Sequence, residues 1–446
     1  NHGLGLYFLT MGNYGNIGDY IGVVAAKRLS AVDIDPKSSH QHEFGDRSGA
    51  LRKVLGDNDR KGSNNNGIPT VIMYLDDDEP PIVADIDTTW YDTRRNQSNR
   101  SPEWRLYYKD CDPIRHAKPG DLMCFGMLTD GRLLILITRQ ESSMETQTEW
   151  LFNIQDESER SYEVHDVTGY SVDTFAATIL EALGIIVEAK DDTLLDEMIS
   201  KWGYSFPSNA DFAVFAQESL KDVDPAHDDP DKVVLAYYDQ NFLLFKVFEK
   251  AVIQHEFDLA PFVLNDEIDV EAFTTFYTRV RNRRMSRAGT SLELHIARIL
   301  DERGIKYKAQ GHTEDGKKPD FLFPSQEAYD DRDFPEAQLR MLASKTSLKD
   351  RFRQVADEAC RIHDKHLFTI TPGDVTHLKL RQMDELHIHL VMPEKVKGTY
   401  DRMIQSSTMN FSDFINEMSS FDRSLSTTSG SMFRYSQPSR EWKATH

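Results

Sequence analysis

A carboxylate at the mouth of one short apolar strand and an amine at the end of the next would suit phosphodiester hydrolysis. The run Lys317-Lys318-Pro319-Asp320-Phe321-Leu322-Phe323-Pro324 supplies the acid, and Leu339-Arg340-Met341-Leu342-Ala343-Ser344-Lys345 ends in the amine. A hard-oxygen carboxylate can hold magnesium against the scissile phosphate, while an ammonium positions the attacking water or stabilises developing charge. One carboxylate makes a poor metal site, and Ala343, two residues before the lysine, adds none. The next segment offers a replacement. Leu348, Phe352, Val355, Ala359 and Ile362 recur at helical spacing, which predicts a helix from about Ser347 to His363. Glu358 on that helix would lie about 80° from the centre of the apolar stripe and look into the cleft beside the sheet. Glu293, in the first turn of a helix that Ser291 could cap, is a further candidate acid. Singly, each residue has a plain alternative: a Pro-Asp turn, a solvated strand-end lysine, a surface glutamate. Only the combination of Asp320, Lys345 and Glu358 in this order of elements points to an enzyme.

The elements that must position these groups alternate between α and β from about residue 290. The helix from Ser291 carries Leu292, Ile296, Ile299 and Leu300 and ends at Gly304. Strands are predicted at 306–310, 321–323, 339–344, 366–370 and 387–392. The chain before residue 150 reads differently. Short β-branched or aromatic runs at 70–75, 84–90, 104–109, 122–128 and 133–138 are separated by polar turns, and Asp130-Gly131 marks a hairpin. Such a pattern suggests a barrel or sandwich. An acidic, mostly helical region follows, interrupted by Pro225, Asp228, Asp229 and Pro230. The expected organisation is multidomain, α/β plus β: a β-rich domain over 1–185, an acidic linker or hinge over 186–230, an α/β domain over 231–421, and a disordered Ser/Thr-rich tail over 422–446.

Composition narrows the function classes. At 446 residues, with 28% charged and 39% hydrophobic side chains, the chain has the balance of a soluble globular protein of two or more domains. The longest apolar run, Leu133–Ile137, suits a buried strand and not a membrane span. The segment Asn1-His2-Gly3-Leu4 lacks a basic region and a cleavage site, so no signal peptide is expected. Three cysteines, Cys111, Cys124 and Cys360, without C-x-x-C spacing, argue for reduced thiols in a cytoplasmic protein, against a disulfide scaffold or zinc site. The net charge of −21 is at first sight wrong for binding a polyanion. Residues 141–200 and 211–271 carry −24 between them, however, so the rest of the chain is net +3. Within that remainder Arg279, Arg281, Arg283, Arg284 and Arg287 form a run without an acid. Such a run is either a solvated helix face or local positive surface that meets phosphates.

Certain runs are distinctive enough to carry a resemblance. Asn282-Arg283-Arg284-Met285-Ser286-Arg287-Ala288-Gly289, Ser291-Leu292-Glu293-Leu294-His295, Lys318–Ser325 and Lys345–Gln354 together resemble the catalytic domain of the EcoRII-type restriction endonucleases. These are type II, effector-regulated members of the PD-(D/E)xK nuclease superfamily, from whose strand pattern Ala343 departs. Lys27–Ala31 and His40-Gln41 resemble, more weakly, the start of that family's N-terminal effector domain, a DNA-binding pseudobarrel. The resemblance implies a C-terminal restriction-endonuclease-like α/β/α domain with a central mixed sheet and a magnesium-dependent catalytic set of Asp320, Lys345 and Glu358. In it Asp320 and Glu358 would be the metal ligands, with Glu293 as supporting acid and Tyr329 as an auxiliary group. Lys349, Asp350 and Arg351 match the family's base-reading segment for a CC/GG core, a sensible role because arginine can bind guanine while an acid accepts from cytosine N4. The same residues also read as a capping box, Ser347-x-x-Asp350, with exposed charges. Phe352 stands where family members can carry tryptophan. In the effector domain Arg100, Glu103 and Arg105, with His40 on another arm, match the groups that grip a second copy of the target; otherwise that Arg/Asn-rich loop is a hydrophilic turn.

Other signals are discounted. Gly12, Gly15, Gly18 and Gly22 make no phosphate-binding loop, so no nucleotide cofactor is expected. His387 and His389 lie on one face of a strand but lack a third ligand, and read as structural; Cys360 reads as core. The leading expectation is a homodimeric restriction endonuclease acting on double-stranded DNA, with autoinhibition relieved through the effector domain. A non-catalytic DNA-binding regulator that kept the fold, and a repair or recombination nuclease, are the alternatives.

Overall fold

The computed structural model describes residues 14–34, 42–58, 67–77, 79–97, 99–155, 161–189, 192–259, 262–264, 267–346, 348 and 351–428. They fall into two compact units that divide between Val187 and Glu188.

The first unit is built on eight strands: β1 (Ile21–Arg28), β2 (Glu43–Gly45), β3 (Ile68–Leu75), β4 (Ile82–Asp92), β5 (Trp104–Tyr107), β6 (Leu122–Leu128), β7 (Leu133–Thr138) and β8 (Glu163–His165). Their order is β2-β5-β4-β3-β7-β6-β1-β8, parallel only between β3 and β7. The Asp130-Gly131 signal is met: Gly131 takes φ +90° in the turn that joins β6 to β7. Every residue of β7 is buried, as expected for a central strand covered on both faces. Trp90, Phe44 and Phe125 are the largest fully buried side chains of its core. Helices α1 (Ser143–Phe152) and α2 (Thr174–Ala182) follow, capped by Ser142 and Asp173 side chains.

The second unit begins with helices. Residues 186–230, expected as an acidic linker, contain α3 (Leu195–Trp202) and α4 (Asn209–Ser219). Met198, Phe212 and Phe215 of these helices bury against Leu244, Phe245, Phe248 and Val252 of α5 (Pro230–Leu259). The acidic side chains of α3 and α4 occupy outer faces of helices whose inner faces are apolar and aromatic, which total charge does not reveal. A small hairpin, β9 (Val263–Leu264) and β10 (Glu267–Ile268), leads into α6 (Val270–Glu302). This helix starts far earlier than Ser291; Asp269 caps it by accepting from Ala272 N at 3.0 Å. Gly304 does end it, at φ +66°.

The six-stranded sheet of this unit runs β11 (Lys308–Ala309), β12 (Phe321–Phe323), β13 (Arg340–Lys345), β14 (Lys365–Thr369), β15 (Ile388–Met392), β16 (Met409–Asn410). The first three are antiparallel and the last four parallel. All of β14 is buried. Helices α7 (Gln326–Asp330), α8 (Phe352–Ala356) and α9 (His377–Glu385) lie between strands in sequence, and α10 (Phe411–Thr428) closes the unit. Phe411 and Phe414 of α10 pack on Phe368, and on Phe323 and His366. The helix continues past Asp422, where a disordered tail was expected; residues 429–446 lie outside the described residues. No helix among the described residues is long and apolar enough to cross a membrane.

Candidate active site

Strands β12 and β13 pair with Phe321 opposite Leu342, a register that carries Asp320 to the level of Ala343 and Ser344. Asp320 is 8% exposed. Its Oδ2 accepts from Ser344 N at 2.7 Å and from Lys345 Nζ at 3.0 Å. The neighbouring backbone amide and the ammonium thus stabilise a buried carboxylate that would otherwise be costly. Its Oδ1 accepts from Gln310 Nε2 at 3.2 Å, and the same nitrogen reaches Glu293 Oε2 at 3.2 Å. Gln310 sits beside β11 in a left-handed turn (φ +49°), its own N donating to Asp320 O.

Glu293 reaches this centre from the body of α6 and not from a first turn. Burial, then the charge of Asp320, lifts its carboxyl to about 7, against the opposing pull of Lys345 and Gln310. Glu358 is lifted to about 7 by the same two causes in the same order, opposed by Lys345, Lys317 and Lys365. Glu293 and Glu358 therefore each feel both Asp320 and Lys345. As a triple the oxygens of the three acids do not close to within 4.8 Å of one another; among the described residues that distance is met by His363, Asp364 and His387. The donor set around Lys345 is all oxygen, and crowded acids with raised affinity for protons are the environment that a hard divalent cation relieves.

Glu358 is not on a helix. The predicted helix over 347–363 is reduced to α8, five residues long, and Ala359 turns the chain at φ +47°. The apolar positions nonetheless behave as expected: Leu348, Phe352, Val355, Ala359 and Ile362 are all buried. Side chains from outside replace the helical hydrogen bonds that are lost. Lys365 donates to Ala356 O, Lys317 to Asp357 O at 3.1 Å, and Glu314 Oε2 accepts from Cys360 N at 3.1 Å. Periodicity cannot register such partners.

Residues 245–415 match the sequence model of a family described as EcoRII C terminal. The chain is 37% identical over 223 residues to the type II restriction enzyme EcoRII of Escherichia coli, which covers 49% of this chain and 52% of that protein. It thus spans about half the length of this relative. Two solved structures are similar in shape at low identity: metal-depleted Ecl18kI in complex with uncleaved, modified DNA (18% identity, 53% of this chain, 85% of that one, TM-score 0.42), and metal-depleted Ecl18kI in complex with uncleaved DNA (17%, 55%, 86%, 0.41).

Within the matched segment, Tyr329 on α7 is tied to the residues that carry Glu358. Its hydroxyl donates to Glu314 at 2.5 Å, and the Arg361 guanidinium lies 5.5 Å from its ring and donates to Tyr329 O. Arg361 also donates to Asp331 O at 3.0 Å and Phe334 O at 3.1 Å, latching residues 357–361 to α7 and the loop after it. Sequence reasoning named Tyr329 but missed Gln310, Glu314, Lys317 and Arg361. Nothing in local pattern marks them, because each works through a neighbour distant in sequence.

Of the expected base-reading triplet, Lys349 and Asp350 lie outside the described residues; Arg351 is exposed at the start of α8. Three arginines of the run on α6 pair with acids of α5: Arg279 and Arg283 with Glu256 at 3.1 and 3.5 Å, and Arg284 with the buried Glu249 at 2.8 Å. In the first unit Arg100 is exposed, whereas Glu103 pairs with Arg94 at 2.7 Å and Arg105 at 2.6 Å, and Arg105 also pairs with Glu43. His40 lies outside the described residues. Cys360, expected in the core, is exposed because the turn at Ala359 redirects it. His387, read from sequence as a structural strand histidine, precedes β15 at φ +54° and is exposed beside His363 and Asp364.

Proposed function

We propose that this protein is a type II restriction endonuclease that hydrolyses phosphodiester bonds of double-stranded DNA at a defined sequence, with magnesium as cofactor. The observation that carries the reading is the convergence of Lys345, Gln310 and Asp320 by hydrogen bonds, with Glu293 and Glu358 close enough to raise their affinity for protons. Asp320 and Glu358 would hold the metal, which supplies positive charge against the scissile phosphate when bound. Lys345, 3.0 Å from Asp320, orients the attacking water and stabilises charge developing on the phosphate. Glu293, through Gln310, keeps Asp320 in place, and its readiness to exchange a proton near neutrality suits the handling of the nucleophile. Tyr329 is a positioning residue for the Glu358 segment.

The family resemblance extends the reading. The catalytic domain would be the second unit, into which α3 and α4 pack, and the effector domain the first unit, whose eight strands would form the pseudobarrel. Lys349, Asp350 and Arg351 would read a CC/GG-flanked site. His40, Arg100, Glu103 and Arg105 would bind a second copy of it and relieve autoinhibition in a homodimer. The test is plasmid cleavage with magnesium and with EDTA, by wild type and Lys345→Ala. Defined fragments requiring magnesium and lost in the folded variant are expected; an unimpaired variant, or cleavage without sequence preference, would refute the reading.

A further inference from the structure

The N-terminal ends of β14 and β15 bring together side chains that the catalytic proposal does not use. The parallel register pairs Lys365 with Ile388, and Lys365 N donates to His387 O at 3.0 Å, which sets position 364 beside His387. One donor atom from each of His363, Asp364 and His387 lies within 4.8 Å of the others. Asp364 Oδ1 is 3.3 Å from His363 Nδ1 and 3.2 Å from His389 Nε2. The rings of His363 and His387 lie with centroids 3.9 Å apart, tilted 43° to each other. All four residues are exposed, so an ion can reach them from solvent.

We propose that His363, Asp364, His387 and His389 form a binding site for a transition-metal ion of the zinc class, separate from the centre around Lys345. The donor chemistry distinguishes the two. Imidazoles with one carboxylate select zinc, nickel or copper, whereas an all-oxygen set suits magnesium. The register separates them as well. Lys345 aligns with Thr369 at the far end of β14, five residues from Asp364, or roughly 16 Å along the strand. The site has a mechanical consequence. His363 ends the short segment that begins at Asp357 and carries Glu358, and α8 leaves that segment without helical support. An ion shared by His363, Asp364, His387 and His389 fastens this end to β15, as Arg361 and Glu314 fasten its middle.

The test uses tag-free full-length protein without DNA, so that its outcome is independent of any cleavage activity. Zinc is titrated calorimetrically in excess magnesium, and cobalt(II) binding is followed by the visible spectrum that imidazole ligation confers. One zinc per chain is expected, with a higher thermal midpoint. In His363→Gln/His387→Gln the zinc affinity should fall at least about 100-fold, since even outer-shell changes cost 10–100-fold, and the thermal shift should vanish. His377→Gln, which removes a surface histidine paired with Asp401, should bind as wild type. Should the double variant not fold, the single His363→Gln, at an exposed loop position, carries the same comparison. Absence of stoichiometric zinc uptake, or uptake that these substitutions leave unchanged, would overturn the proposal.

Discussion

Replacing Glu358 by glutamine keeps its volume and removes its charge, and the structure makes the effects on stability and on function opposite in sign. Burial and Asp320 lift the Glu358 carboxyl from 4.5 to about 7. The folded chain therefore binds more protons than the unfolded chain between those values, and wild-type stability falls as pH rises through that window. A rise of this size corresponds to roughly 3 kcal/mol of native-state cost once the group is fully ionised. Partial solvent access to the group reduces this to about 1–2 kcal/mol. Glu358→Gln should thus match wild type near pH 4.5 and be about 1–2 kcal/mol more stable at pH 8 in EDTA. For a unit of this size that is a midpoint higher by roughly 2–8 °C. Plasmid cleavage should nevertheless fall by at least about 100-fold, because the metal loses one of its two proposed ligands. Thermal unfolding at both pH values, paired with cleavage at saturating magnesium, measures both arms. A variant that is less stable than wild type at pH 8, or that cleaves normally, would refute the assignment of Glu358 as a desolvated functional acid.

Three further outcomes follow from the same geometry. Gln310→Leu removes the amide that bridges Glu293 and Asp320 and should lower cleavage about 10-fold or more with little change in DNA affinity; unchanged single-turnover rates would exclude the bridge from the chemistry. Arg361→Ala frees the Glu358 segment from Tyr329 O, Asp331 O and Phe334 O and should cost about 2–3 kcal/mol in urea unfolding, a prediction that a loss within experimental error would contradict. Burial, with His389 and Arg340 adding to it, presses the His366 pKa from 6.5 to about 3, so the unfolded chain binds the extra proton between those values. Stability should therefore be lost as pH falls below about 6.5, by roughly 1.4 kcal/mol per pH unit for each such histidine. His366→Phe, placed against Phe414, should make the urea midpoint less sensitive to pH between 7 and 5, and an unaltered dependence would rule this out.

Local pattern determined much of this protein. The strands that carry Asp320 and Lys345, the Asp130-Gly131 hairpin, the stop at Gly304 and the buried stripe from Leu348 to Ile362 are all legible because each depends on neighbours close in sequence. Burial reads out as apolar spacing whether or not the backbone between the apolar positions is helical, and for that reason the stripe was right while its helix was not. Tertiary structure decided the rest. It turned the chain at Ala359, supplied Gln310 as the bridge and Arg361 and Glu314 as latches, and paired the α6 arginines with α5 acids. It also drew His363, Asp364, His387 and His389 together from two strand ends. Each of these rests on a hydrogen bond, an ion pair or a strand register between residues far apart in the chain, and a linear sequence carries no record of such distances until the sheet is assembled.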